Sequence, residues 1–347
     1  MPASISSALG SSSAALIKLG RALMGSGEGA KAVALFDGLM NSRGHDADLA
    51  SAARIVLSHG IPQWHATMLN DTVRNDAYER AIRRTVTPET TVLDIGSGSG
   101  LLAMMAARAG ARHVYTCELN PAVAETAREI VAANGFADRI TVLAGHSTGL
   151  DAERDLGGRV DVVVSEIFGN DLLCEGALAS LDHAAEQLAR PGATFIPFRA
   201  SLRVALASFD KPSLRLPAQV SGFDLTRFDR HLTSHRSLPV GNKRLSLCSP
   251  AHDLLTFTFG QDAPPHPARA DLRIAAPADP ANGLVQWIAF DLDDQDRYEN
   301  APSPGRYSAW GAIFHTFPDE LGHHHGRDIH VHADHDGEFP RIWFTTA

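Results

Sequence analysis

The chain has 347 residues, 44% of them hydrophobic, with a formal net charge of −9 and three cysteines. That length suits two or three domains. The acidic balance argues against a nucleic-acid partner, and no stretch reaches the roughly 20 apolar residues of a membrane span. Cys117, Cys174 and Cys248 lie far apart, without a CxxC pair. This argues against a disulfide framework and a cysteine zinc site, and for a reducing compartment, so a cytoplasmic location is expected.

The first segment, residues 1–60, reads as a small helical extension that serves packing or dimerisation. Its opening residues have an apolar patch but no basic region ahead of it, so a signal peptide is not expected. Leu16, Ile17, Leu19 and Leu23, then Val33, Leu35, Phe36 and Leu39, recur at helical spacing, with Gly25, Gly27 and Gly29 between the two runs. Ala50, Ala53, Ile55 and Val56 predict a third helix before Pro62. The pairing is tetratricopeptide-like, although one degenerate unit does not make a solenoid.

The second segment, residues 61–197, alternates strand and helix. The runs TVLDI, HVYTCE, ITVLA, VDVVVSE and ATFIP are separated by helical stretches such as 101–109 and 121–134. Parallel strands need crossover helices, so this alternation predicts an α/β fold with a doubly wound, Rossmann-like sheet. The third segment, residues 198–347, is rich in short strands: ASLRVALA, LLTFTFG, VQWIAFDLD, WGAIFHTF, RDIHVHA and RIWFTT. They predict an antiparallel barrel or sandwich. VSGFDLTRFDRHL reads as helical and interrupts them, forming an arm around 213–235.

The first strand of the sheet runs into Asp94-Ile-Gly96-Ser-Gly98-Ser-Gly100. Such glycines let backbone approach a ligand at the carboxyl edge of a parallel sheet. Asp94, just ahead of them, suits the ammonium of a methionine moiety and would repel a pyrophosphate. Glu118, ending the second strand, can take two ribose hydroxyls, a role that would also suit NAD. A tight turn without any ligand is the plainer alternative.

The fourth strand ends at Ser165-Glu166, and Glu175 follows nine positions later across IFGNDLLC. Two carboxylates on one loop can grip a guanidinium fork. Taken without their context they could instead be a general acid and base, or, as is usual for two such glutamates, solvated loop charge. His330 and His332 share a strand face, and His323, His324 and His325 precede them. A polar strand face accounts for the alternating pair, and no metal is expected.

The loop SEIFGNDLLCEG resembles the double-glutamate loop of the protein arginine methyltransferases, with the same spacing between the acids. The resemblance extends in motif order from Ile61 to the C-terminus through WHATMLNDTVRNDAY, GATFIPFRASL, VSGFDLTRFD and SAWGAIFHTFP. The wording WHxxMLND, HST and EGAL is closest to the seventh and ninth mammalian members, and the helical front end is like the ninth. The chain is also similar to the bacterial enzyme that methylates free L-arginine in nitrosourea antibiotic biosynthesis.

The resemblance implies a class I methyltransferase sheet, then a β-barrel with a dimerisation arm, acting as a homodimer on arginine or an arginine-containing protein. S-adenosylmethionine would be the cofactor, held by His65, Met68, Arg74, Asp94, Gly96, Gly98 and Glu118, with Ser147 and Thr148 on the adenine side. Glu166 and Glu175 would be the catalytic clamp, with Asp171 and Trp310 on the acceptor. Three departures stand out. Ala309 replaces the histidine that the family pairs with the aspartate represented by Asp71; Thr148 replaces a glutamate; and the tyrosines ahead of WHATML are missing. A lysine acceptor on the same fold, or a cofactor-binding scaffold without turnover, are the competing readings.

Overall fold

The computed structural model describes residues 13–43, 46–59, 61, 64–210, 219–277, 279–318, 321 and 328–346. The opening twelve residues, Pro62, the arm's first residues through 218 and His323, His324 and His325 lie outside the described residues. The chain's contacts divide it into two compact units. One holds Met1–Ala66, Ile82–Glu166 and Glu186–Ala193; the other holds Thr67–Ala81, Ile167–Ala185 and Thr194–Ala347.

The first unit begins with three helices, α1 (Ser13–Gly25), α2 (Gly29–Arg43) and α3 (Ala47–Leu57). Leu16, Phe36, Leu49, Ala52 and Val56 form their own small core. The packing is close enough that a methyl group at Gly20 would lie 2.5 Å from Val56 Cγ1. Asp46 caps α3 by accepting the Asp48 and Leu49 N–H groups.

After α4 (Trp64–Leu69) and α5 (Thr72–Thr85) come the parallel strands β1 (Thr91–Ile95), β2 (His113–Glu118), β3 (Ile140–Ala144) and β4 (Val160–Ser165), and then β5 (Ala189–Ile196). Their order is β3-β2-β1-β4-β5. Crossovers are supplied by α6 (Leu101–Ala109), α7 (Pro121–Ala133) and α8 (Ala152–Leu156); α9 (Ala177–His183) follows β4. The chain leaves β1 toward one edge and β4 continues toward the other, so the order reverses beside β1. Open α/β sheets bind ligands at the carboxyl ends flanking such a reversal, where the glycine turn lies.

The second unit is antiparallel. A barrel-like sheet runs β7 (His235–Leu238), β13 (Ala312–Thr316), β11 (Gly283–Asp291), β6 (Arg199–Phe209), β8 (Leu245–Leu247). β9 (His252–Thr258) pairs with β6, and β12 (Arg297–Glu299) with β11. β11 is buried at every position, on both faces. Its Val285 and Trp287 pack in one core cluster with Phe314 and Phe209. A second sheet joins β10 (Arg269–Ile274), β14 (Ile329–His335) and β15 (Pro340–Thr346).

Where VSGFDLTRFDRHL predicts a helix, the structure has a bridge between Val220 and Phe223 and then a single 3-10 segment, Thr226–His231. Asp224 bonds the Thr226 N–H and hydroxyl at its start. None of this segment's residues is buried, and short helices without a packed face have little to hold them. β7, β8, β10 and β12 escape the sequence patterning because HRSL, LSL, RADLRI and RYE are too short to show a period.

Candidate active site

Each unit carries part of the motif set. In the first, Gly96, Gly98 and Gly100 adopt left-handed backbone with φ of 88°, 51° and 80°, where a Cβ is strained. The turn is tied to the end of β2, because the Gly96 and Ser97 N–H groups both donate to Cys117 O, at 3.1 and 2.9 Å. Gly98 N–H donates to Glu118 Oε2 at 3.0 Å, while Glu118 Oε1 accepts Asn120 N–H at 2.9 Å. Each oxygen of Glu118 is thus aimed by one backbone donor and keeps lone-pair capacity for another. His65 lies beside this turn, with Nδ1 3.9 Å from where a methyl group on Gly98 would sit. Burial holds its pKa down, against the opposing charge of Glu118.

Asp94 is buried, and its Oδ2 accepts the Thr116 hydroxyl at 2.8 Å. Burial pushes its pKa up to about 7, against the opposing pull of Thr116. Among the described residues, Asp94 Oδ1, Ser97 Oγ and Ser147 Oγ are buried and meet no hydrogen-bond partner. A buried polar group left unpaired costs about 1–3 kcal/mol. Three such atoms in the unit that carries the glycine turn fit a bound group bearing a cation and hydroxyls. Ser147 is buried, whereas Thr148 is exposed and bonded to the neighbouring His146 at 2.8 Å. Glu166 directly follows β4 and is half-buried.

In the second unit Asp71 organises the start of α5. Its Oδ1 accepts the Arg74 N–H at 3.1 Å, capping the helix. Its Oδ2 takes the Tyr298 hydroxyl at 2.7 Å and the Ala309 N–H at 2.9 Å. Ser308 Oγ bonds the Tyr298 hydroxyl at 2.8 Å and accepts the Trp310 N–H at 3.2 Å. Where the family's histidine would meet this aspartate, a tyrosine hydroxyl and a backbone N–H do so. Met68 is buried at the end of α4. Arg74 is buried too, with its guanidinium 5.8 Å from the centre of the Trp310 ring and bonded to Asn75 Oδ1 at 2.7 Å.

Trp310 joins this cluster to the loop after β4: its indole N–H donates to Phe168 O at 2.7 Å, and Gly311 N–H donates to Asn170 Oδ1 at 2.8 Å. Asp171 Oδ1 accepts the Cys174 N–H at 3.0 Å, so one oxygen of this predicted acceptor contact shapes the loop itself. Leu172 and Glu175 hold left-handed backbone, with φ of 79° and 77°. Non-glycine residues keep such conformations only where their surroundings impose them. Glu175 is exposed at the loop's end. Tyr298 and Asn300, whose Nδ2 donates to Trp310 O at 3.2 Å, carry no motif in the sequence; only the tertiary contacts reveal them.

Known proteins resemble the chain in sequence and in fold. The family model for Ribosomal protein L11 methyltransferase (PrmA) matches residues 78–197. An Arginine N(omega)-methyltransferase of Streptomyces achromogenes subsp. streptozoticus is 40% identical over 264 residues, spanning 75% of this chain and 73% of that protein. Protein arginine N-methyltransferase 7 of Danio rerio is 38% identical over 188 residues, 51% of this chain but 26% of that longer protein. Among solved structures, the Trypanosoma brucei PRMT1 enzyme-prozyme heterotetrameric complex with AdoHcy superposes with a TM-score of 0.69 at 23% identity, covering 83% of this chain and 94% of that one. Arabidopsis thaliana protein arginine methyltransferase 10 gives 0.65 at 19%, covering 81% and 96%. At those identities the structural matches speak for the fold.

Proposed function

The chain belongs to the arginine N-methyltransferase family, and we propose that it methylates the guanidinium of arginine through the clamp formed by Glu166 and Glu175. The cofactor is S-adenosylmethionine, which when bound supplies an electrophilic methyl group. Glu118 would receive its ribose hydroxyls, Asp94 its ammonium and Arg74 its carboxylate, with His65, Met68, Gly96 and Gly98 beside it and Ser147 and Thr148 toward the adenine. Of these, Ser147 has the better support, because its hydroxyl is buried and meets no hydrogen-bond partner among the described residues.

A guanidinium is a poor nucleophile because its lone pairs are delocalised and it stays protonated at neutral pH. The task of the protein is therefore positioning. Glu166 and Glu175 would hold the fork, draw its positive charge away from the attacking nitrogen and take up, or pass to water, the proton that is lost. The observation that carries this reading is the double-glutamate loop seated by the Trp310 indole on Phe168 O. Trp310 and Asp171 would border the acceptor.

The acceptor we favour is arginine itself. The match to the relative named for arginine spans 264 residues, against 188 for the zebrafish protein methyltransferase. A lysine acceptor has the ribosomal-protein match in its favour, but that match ends at residue 197, ahead of the antiparallel sheets. We further propose a cytoplasmic homodimer, built from a helical segment 1–60, a cofactor segment 61–197 and a barrel segment 198–347. No helix among the described residues is long and apolar enough to cross a membrane.

Initial rates with labelled cofactor on free arginine, an arginine-rich peptide and a lysine peptide test the reading. Turnover should be highest on free arginine. Glu166→Gln and Glu175→Gln should each lose at least about a hundredfold, the scale for removing a transition-state electrostatic partner. Near-normal rates in both variants would refute the clamp.

A further inference from the structure

The three N-terminal helices carry none of the residues placed at the site, yet they share a compact unit with the glycine turn. Their contact with the sheet layer is made by α2 on α7. At Gly29, the first residue of α2, a methyl group would lie 2.8 Å from Ala122 Cβ and 2.9 Å from Ala122 N. Both distances are shorter than real methyl contacts, so only glycine lets α2 seat this closely. Ala122 itself is fully covered.

From Ala122 a short run of hydrogen bonds leads to the glycine turn. Ala122 N–H donates to Asn120 Oδ1 at 3.0 Å, the cap of α7. Asn120 N–H donates to Glu118 Oε1 at 2.9 Å. The other oxygen of the same carboxylate accepts Gly98 N–H at 3.0 Å. Pro121 fixes the backbone between cap and helix. A displacement of the start of α7 therefore moves the carboxylate, and a carboxylate meeting two hydroxyls tolerates only a few tenths of an ångström.

We propose that the N-terminal helical layer is a positioning element for cofactor binding, seating Glu118 through the Gly29–Ala122 contact and the Asn120 cap. Gly29 and Asn120 are the positioning residues. The inference rests on the reading of Glu118 as a cofactor ligand.

The test is calorimetry of S-adenosylhomocysteine binding to the full-length protein, wild type, Gly29→Val, Glu118→Ala and the double variant. Gly29→Val should raise Kd about tenfold. Because the two changes act through one carboxylate, the double variant should bind no more weakly than Glu118→Ala alone. A wild-type Kd for Gly29→Val, or losses that simply multiply in the double variant, would overturn the proposal. If Glu118→Ala itself binds normally, the underlying assignment of Glu118 fails instead, and the proposal with it. Should Gly29→Val fail to fold, Asn120→Ala decides. It leaves α2 untouched and should weaken binding, whereas Asn120→Ser, which keeps a good cap, should bind nearly as wild type. Normal binding by Asn120→Ala overturns the coupling.

Discussion

Two side chains have consequences that can be measured singly. Asp94 is held protonated to about pH 7 by burial, whereas an unfolded aspartate ionises near about 4. The native state therefore binds the extra proton between those values. Its contribution to stability is complete below the lower value and is lost as pH rises toward the upper one. The melting temperature should accordingly decline across that window, and Asp94→Asn should flatten the decline. A cationic group brought against Asp94 would restore its charge, so S-adenosylhomocysteine binding near pH 7 should release protons. Calorimetry in buffers of different ionisation enthalpy reads that release directly, and Asp94→Asn should abolish it. Tyr298 is the other case. Its hydroxyl is shared between Asp71 and Ser308, and burial raises its pKa further above the ordinary tyrosine value. Tyr298→Phe removes one of the three donors to a buried carboxylate, a loss of about 1–3 kcal/mol. It should lower both the melting temperature and kcat while leaving S-adenosylhomocysteine affinity within about threefold, as calorimetry beside steady-state kinetics would establish.

The acceptor loop is shaped by close packing as well as by hydrogen bonds. A methyl group at Gly169 would fall 1.8 Å from Cys174 Sγ but 3.6 Å from Cys174 Cβ. Gly169→Ala should therefore displace the loop and cost activity at least about tenfold, the scale for a misplaced reacting geometry. Removing the sulfur makes room. The double variant Gly169→Ala, Cys174→Ala should recover much of the lost rate, and initial-rate assays of the three variants against wild type decide it. Burial and the neighbouring Asp171 push the pKa of Cys174 up to about 12, well above the range of a reactive thiol. In the barrel-like sheet, Gly283 faces the same constraint in a harsher form, with a methyl group only 2.3 Å from Phe314 Cζ and 2.4 Å from His315 O. Gly283→Ala should destabilise the fold by about 1–3 kcal/mol, visible in denaturant melts.

At the scale of the whole molecule, the arm exposes Phe223, Leu225 and Phe228, the first at 69% and the last at 59%. Apolar side chains grouped this way mark an interaction surface. Deleting Val220–Leu232 should convert the proposed dimer to monomers with poor turnover, measured by sedimentation and initial rates. How much of the protein is legible in its sequence depends on the range of the interactions involved. The parallel strands and the crossover helix at 101–109 follow from local apolar period, and the glycine turn from residues needing positive φ. Those features are written within a few residues of one another, as is the spacing of Glu166 and Glu175. The partners of Asp71 are different. Tyr298 and Ala309 lie 227 and 238 residues away, Trp310 reaches Phe168 across 142, and Gly29 meets Ala122 only because α2 packs on α7. The arm departs from its helical pattern for the same reason, since period alone cannot stabilise a helix that has no packed face. Sequence by itself thus determined the parallel strands, the crossover helix at 101–109, the glycine turn and the spacing of Glu166 and Glu175, which arise from local backbone and side-chain chemistry. Tertiary structure alone decided which buried groups hold them in place, because those contacts exist only once distant segments have packed.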